Sequence, residues 1–206
     1  VLLDADGFRG ARRGSLAELV EWAEPVAAVG VDIPIGEEPG RRRRADDEAR
    51  RFVGARRASV FAAPPVQGLR VDDYDAANRA LAAAGRPRMS RQAWALVPKM
   101  REAASLAAAD PRLHEVHPEV CFRHLHGAEL AWPKRSWNGV TLRRSLLRSA
   151  GVELPEPLED VGATGVDDVL DAAVVAWSAR RIALGRARTL PADPPVHDGR
   201  AVAIWY

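Results

Sequence analysis

The acidic residues of this chain stand where acids are costly to keep. The stretch "AAVGVDIPIG" (residues 27–36) reads as the end of an apolar strand over 26–31, closed by Asp32 just before Pro34 turns the chain out of a sheet. An unpaired buried carboxylate costs several kcal/mol, so Asp32 calls for a cation, a hydrogen-bond donor or solvent. A second acidic group, "DDVLDA", places Asp167, Asp168 and Asp171 near the start of the long helical stretch "VDDVLDAAVVAWSARRIALGRA". At helical pitch Asp168 and Asp171 lie about 60° apart and Asp167 and Asp171 about 40° apart. Aspartates cap helix N-termini and complement the dipole, and Thr164-Gly-Val-Asp167 has the form of a capping box. One cap explains one aspartate. Three like charges in five residues should repel unless a cation relieves them.

Two further groups could do chemistry. "EVHPEV" offers Glu115, His117 and Glu119. In a strand 115 and 117 share a face, so the three could form an acid–base or metal group in one cleft with Asp32. The alternative is a partly exposed strand end with Pro118 opening a helix. "GRRRRADDEARR" supplies Arg41, Arg42, Arg43 and Arg44, either as phosphate ligands or as a solvated helix start laced with ion pairs. Taken alone the run reads as solvated, and its place just after Asp32 strengthens the phosphate reading. "SRQAWALVPKM" adds Gln92 and Lys99 as candidate substrate contacts, with Trp94 read as core. The remaining histidines, His114, His124, His126 and His197, show no zinc spacing.

The elements that must position these groups follow from the same sequence. Residues 1–15 read as a hairpin turning at Asp4-Ala5-Asp6-Gly7, after which Ser15 caps a helix. The strand ending at Asp32 follows, then a helix to about Phe52, an extended proline-terminated segment, and helices over about 72–84 and from Ser90 onward. Pro98 should kink or split the last of these. A short strand spans 113–117, and a helix opens at Pro118. Another begins at Asn138 or Thr141, a proline-rich linker reaches Gly165, and the long acidic helix and an extended tail close the chain. Strands alternating with helices imply a layered α/β domain, and the opening hairpin makes its sheet mixed. The expectation is that the strand ending at Asp32 is central and parallel to the one ending near His117. No G-x-G-x-x-G or Walker motif occurs.

With 206 residues, 47% hydrophobic and 28% charged, the chain suits a single domain over 1–206 with a helical insertion over roughly 40–110. Net charge is +2, which excludes a polycation. Only Lys99 and Lys134 among the 30 basic residues are lysines, a bias read as codon usage. The lone cysteine, Cys121, excludes an internal disulfide or a multi-cysteine zinc site and is expected to be a buried structural thiol. No apolar run approaches the ~20 residues of a membrane span and no signal peptide is seen, so a cytoplasmic protein is expected.

"VDIPIG", "ADDEAR", "SVFAAP", "SRQAWALVPKMRE", "EVHPEVCF", "KRSWNGVTLRR" and "DDVLDA" occur here in the order used by the bacterial family called domain of unknown function 429, which this chain resembles from about residue 29 to the end of the last helix. The family is described as a predicted ribonuclease-H-like nuclease. The resemblance implies a ribonuclease-H-like mixed sheet with flanking helices, and acids at the ends of central strands and on the final helix that jointly bind divalent metal. Asp32, Asp168 and Asp171 would then be metal ligands for Mg²⁺ or Mn²⁺, with Glu119 and His117 beside them, nucleic acid the partner and phosphodiester hydrolysis the reaction. The family pattern opens with a glycine-flanked Asp on a first strand. Val1-Leu2-Leu3 would match the second strand, which implies weak or no metal binding by the residues present. Two other readings are a non-catalytic nucleic-acid-binding or scaffold protein with a relic acidic site, and a small-molecule phosphotransferase.

Overall fold

Asp4 makes the first turn. Its Oδ1 accepts the Asp6 and Gly7 N–H groups at 2.9 and 3.1 Å, and Gly7 takes φ +124°. The flanking strands β1 (Leu2–Leu3) and β2 (Phe8–Gly10) pair antiparallel. Ser15 then opens α1 (Leu16–Trp22) with a full capping box, its Oγ accepting the Glu18 N–H while Glu18 Oε2 accepts the Ser15 N–H. The computed structural model describes residues 1–38, 42–64, 66–158 and 161–206, with the backbone alone at 66–67.

β3 (Val29–Val31) pairs parallel with β4 (Leu113–Glu115), Val29 opposite Leu113 and Val31 opposite Glu115. The crossover between them carries α2 (Arg44–Val53), a 3₁₀ turn over Gly54–Ser59, α3 (Val66–Leu69), α4 (Tyr74–Ala83) and α5 (Arg91–Ala109). After β4 come α6 (Pro118–His126), α7 (Trp137–Ser149) and α8 (Val166–Ala183), then β5 (Thr189–Leu190), β6 (Val196–His197), β7 (Arg200–Ala201) and β8 (Ile204–Trp205). α5 runs unbroken through Pro98, which lies on its exposed side, so the carbonyl that loses its donor can meet water.

This is a mixed α/β arrangement with short sheets. The single mixed sheet expected from the sequence is instead four two-stranded ladders among the described residues. A single parallel bridge, Val116 to Trp205, aligns β4 with β8, and β8 pairs antiparallel with β5. β3 is also not central as expected. Its Val29 N–H and Val31 C=O serve the β4 side, so the Gly30 N–H and C=O point the other way, into a groove.

Period-two alternation sorts the faces of β3. Val31 packs with Val20 of α1, Ala103 and Ala107 of α5, and Leu113. Gly30 faces α8 instead, and a Cβ there would lie 2.8 Å from Val175 Cγ1 and 3.0 Å from the Val175 carbonyl oxygen. The larger core joins α2, α6, α7, α8 and β8 around Phe122, Leu147, Leu170, Val174 and Ile204. α4 and the first half of α5 close a smaller core around Leu81, Met89 and Val97. No helix among the described residues is long and apolar enough to cross a membrane.

Candidate active site

The close approach at Gly30 fixes what happens two residues later. Asp32 continues the Gly30 face, ~6.6 Å further along the strand direction. Asp171 lies one turn N-terminal to Val175, ~6 Å along α8. Strand end and helix start therefore bring Asp32 and Asp171 towards each other, and Asp168 lies one turn further along the same helix. All three line one end of a groove of about 1420 Å³ that runs between β1 and β3 over α8. Its other lining is mostly apolar, including Leu2, Leu3, Leu16, Val20, Ala172 and Val175.

Asp32 has no hydrogen bond or ion pair among the described residues. Solvent reaches it from the groove, but protein crowds its other sides, and that desolvation, with the Asp171 charge, raises its pKa to about 8. Burial also raises Asp171, against the opposing bond from Lys134. Asp171 Oδ1 is buried without a partner. Asp168 is exposed at the rim.

Lys134 is the cation the cluster already holds. Its Nζ lies 2.5 Å from Asp171 Oδ2 and 3.4 Å from Asp167 Oδ2, while Arg135 Nε donates to Asp167 Oδ2 at 2.8 Å. Partial burial is the largest single influence and pulls the Lys134 pKa down, but the bonds and charges of Asp171 and Asp167 together outweigh it and the net shift is upward. The Arg135 bond lowers the Asp167 pKa. Asp167 is therefore spent on the 127–136 loop. The expected capping box at α8 does not form: Gly165 is the N-cap with no side-chain bond, and Thr164 Oγ1 has no partner.

The "EVHPEV" group is divided among different tasks. Glu115 shares the face of Val31, opposite to that of Asp32, and accepts from Arg43 Nη2 and from the Ile35 N–H at 2.6 Å. Burial outweighs both donors and pushes its carboxyl up to about 7. The expected cleft shared by Glu115 and Asp32 is thus corrected, because alternation sends Glu115 to the other layer. Glu119, in the first turn of α6, pairs with fully buried Arg143 at 2.6 Å, and its charge adds to that around Asp171. His117 is the N-cap residue of α6, beside Glu119 and Lys134. Burial lowers its pKa, and its Nε2 meets the Ser59 carbonyl at 3.2 Å. That partner assigns the proton to Nε2 and leaves the buried Nδ1 lone pair free.

The arginine run is likewise split. Arg43 is enclosed, bound to Glu115 and 3.4 Å from Asp46, whose Oδ2 accepts the Ala63 N–H. It holds two loops together and has no free face for phosphate. Arg44 pairs with Glu38 at 2.8 Å, and Arg42 stands exposed, 3.7 Å from Asp47. Arg41 lies outside the described residues. Gln92 and Lys99 are exposed on α5 and do not line the groove. Burial pushes the Cys121 thiol up to about 12, which suits the structural role expected of it.

The family model described as "Protein of unknown function (DUF429)" matches residues 1–196. The chain belongs to that family. No curated protein and no solved structure matches it. Family membership fits the ordered motifs of the sequence and leaves the chemistry to be argued from the site.

Asp32, Asp171 and Asp168 are hard oxygen donors of the kind that suit Mg²⁺ or Mn²⁺. Their spacing does not: among the described residues no three His, Cys, Asp or Glu side chains stand close enough to hold a metal ion. Lys134 meets part of the charge instead. Lys134, Arg135 and Arg143 were absent from the sequence-derived site. Their motif, "KRSWNGVTLRR", was visible, but nothing in it reveals that a loop basic pair would reach a helix some 35 residues later.

Proposed function

We propose that the chain is a metal-dependent phosphodiesterase of ribonuclease-H-like type acting on nucleic acid, with Mg²⁺ or Mn²⁺ as cofactor. One observation carries the reading: Asp32, unpartnered at the C-terminal end of a parallel strand, is brought up against Asp171, with Asp168 on the same groove. Ligands favour this edge of α/β sheets. Two acids converging in a groove, their charge only partly met by Lys134, are the kind of pair from which a cation site is built.

Were a divalent ion held by Asp32 and Asp171, it would supply charge for an attacking water and a leaving oxygen. Lys134 holds Asp171 by Oδ2, and the buried Oδ1 has no partner. Asp32, its pKa raised to about 8 by burial and the Asp171 charge, would hold such an ion as a carboxylate beside Asp171. Glu119 and Arg143 fix the wall behind Asp171.

A second reading, a non-catalytic nucleic-acid-binding or scaffold protein, is favoured by the absence of a three-ligand group among the described residues. Calorimetric titration with Mn²⁺ into the millimolar range, on the parent and Asp32→Asn, separates them when run beside cleavage of labelled single-stranded, duplex and branched DNA. The phosphodiesterase reading expects heat and metal-dependent cleavage in the parent, both lost in Asp32→Asn. Nucleic-acid binding without either leaves the second reading.

A further inference from the structure

We infer that the turn from Trp132 to Trp137 is a platform for single-stranded nucleic acid, with unpaired bases stacking on the two tryptophans and Arg135 taking a flanking phosphate. The inference rests on the nucleic-acid reading above and narrows its substrate to an unpaired strand.

Tryptophan is normally buried over most of its surface. Here Trp137 is 84% exposed and Trp132 44%, and they bracket "PKRS". The turn is rigid. Ser136 donates its N–H and Oγ–H to the Pro133 carbonyl at 3.0 and 2.8 Å, and Ser136 Oγ accepts the Gly139 N–H at 3.1 Å. Gly139 is required there, because a Cβ would lie 1.8 Å from the Pro133 oxygen. From the core, Arg143 Nη1 reaches the Trp132 carbonyl at 3.4 Å. Two large aromatics are thus held out on a fixed frame, so a ligand meets them without an ordering cost.

Charge decides the kind of ligand. Asp167 takes Arg135 by Nε only, and both terminal nitrogens, on a side chain 78% exposed, have no partner among the described residues. That fork is suited to a phosphate. Lys134 converges with Arg135 on Asp167 and goes on to Asp171 in the acidic groove, and no more than about 11 Å of chain separates it from Trp137. Aromatic faces beside a guanidinium whose terminal nitrogens are unpaired among the described residues, next to a candidate phosphodiester site, match an unstacked strand. A duplex hides its base faces and offers the tryptophans nothing to stack on.

The test is fluorescence anisotropy in EDTA with labelled oligothymidine and a duplex of equal length, using the parent, Trp137→Ala, Trp132→Ala and Arg135→Gln. The tryptophans are exposed, so the two tryptophan variants should melt like the parent, while Arg135→Gln also removes a partner of Asp167; the assay needs no catalysis. The parent should prefer the single strand. Trp137→Ala should weaken that binding by about 5- to 150-fold, the worth of one stacked base, with duplex binding unchanged. Arg135→Gln should lower the salt slope of single-strand binding by about 0.7. Single-strand binding unchanged in both tryptophan variants, or a parent that prefers duplex, overturns the platform and leaves the tryptophans to a protein partner. A parent that binds neither probe overturns the nucleic-acid reading as well.

Discussion

Gly30→Ala tests the approach that sets the site. A methyl group at this position meets Val175 Cγ1 at 2.8 Å, the Val175 carbonyl oxygen at 3.0 Å and Val116 Cγ2 at 3.1 Å. A side-chain methyl can rotate away, but the carbonyl belongs to the α8 backbone. The helix must therefore retreat by about half an ångström to restore ordinary contact. Overpacking of this kind costs about 1–3 kcal/mol. Restricting the unfolded chain returns about 0.4–1 kcal/mol. The net expectation is a loss of about 1–2 kcal/mol, read as a lower urea midpoint at unchanged slope. Gly10→Ala is the control, since its Cβ meets only the Trp22 ring at 3.4 Å, and it should be neutral or slightly stabilising. Because Asp171 sits one turn from Val175 on the retreating helix, Gly30→Ala should also relax the crowding around Asp32 and bring its pKa down. A Gly30→Ala protein as stable as the parent would refute the close strand–helix packing and with it the convergence of Asp32 and Asp171.

Two more outcomes follow from the same geometry. Asp32 has a folded pKa above its unfolded value, so it binds an extra proton in the native state and makes stability fall as pH rises from about 4 to about 8. Its share is less than the full ~1.4 kcal/mol per pH unit because solvent enters the groove. Asp32→Asn should flatten that part of the profile, leaving the similar contribution of Glu115 below about pH 7; chemical denaturation at pH 5 and 8 checks it, and equal slopes in parent and variant would contradict it. Arg143→Met strands Glu119 in the core without its partner and should cost about 3–5 kcal/mol, whereas Glu119→Gln, which keeps an acceptor for Arg143, should cost less by urea unfolding.

Local signals in the sequence were enough for most elements, because turn and cap chemistry is read from adjacent residues. Asp4 with Gly7, Ser15 with Glu18, Ser90 at α5 and Pro118 at α6 all do locally what their types suggest. Pairing that depends on distant residues was less legible. The sequence shows that residues 26–31 are apolar but not which edges of the strand are occupied. Glu115 was misread because a two-residue spacing gives a face and not which layer that face meets. The Thr164–Asp167 box failed since a distant arginine competes for the same carboxylate.

That competition has a consequence for the acids. Asp167, Asp168 and Asp171 look equivalent in the sequence, each a carboxylate in the first turns of a helix. The 127–136 loop makes them unequal. Arg135 and Lys134 neutralise Asp167, Lys134 binds one oxygen of Asp171, and Asp168 is left at the rim. What remains without a bonded partner among the described residues is the buried Oδ1 of Asp171 and the carboxylate of Asp32, on facing elements held together at Gly30. A cation arriving there meets Lys134 first, so the loop that carries the exposed tryptophans is also the element any ion must work against.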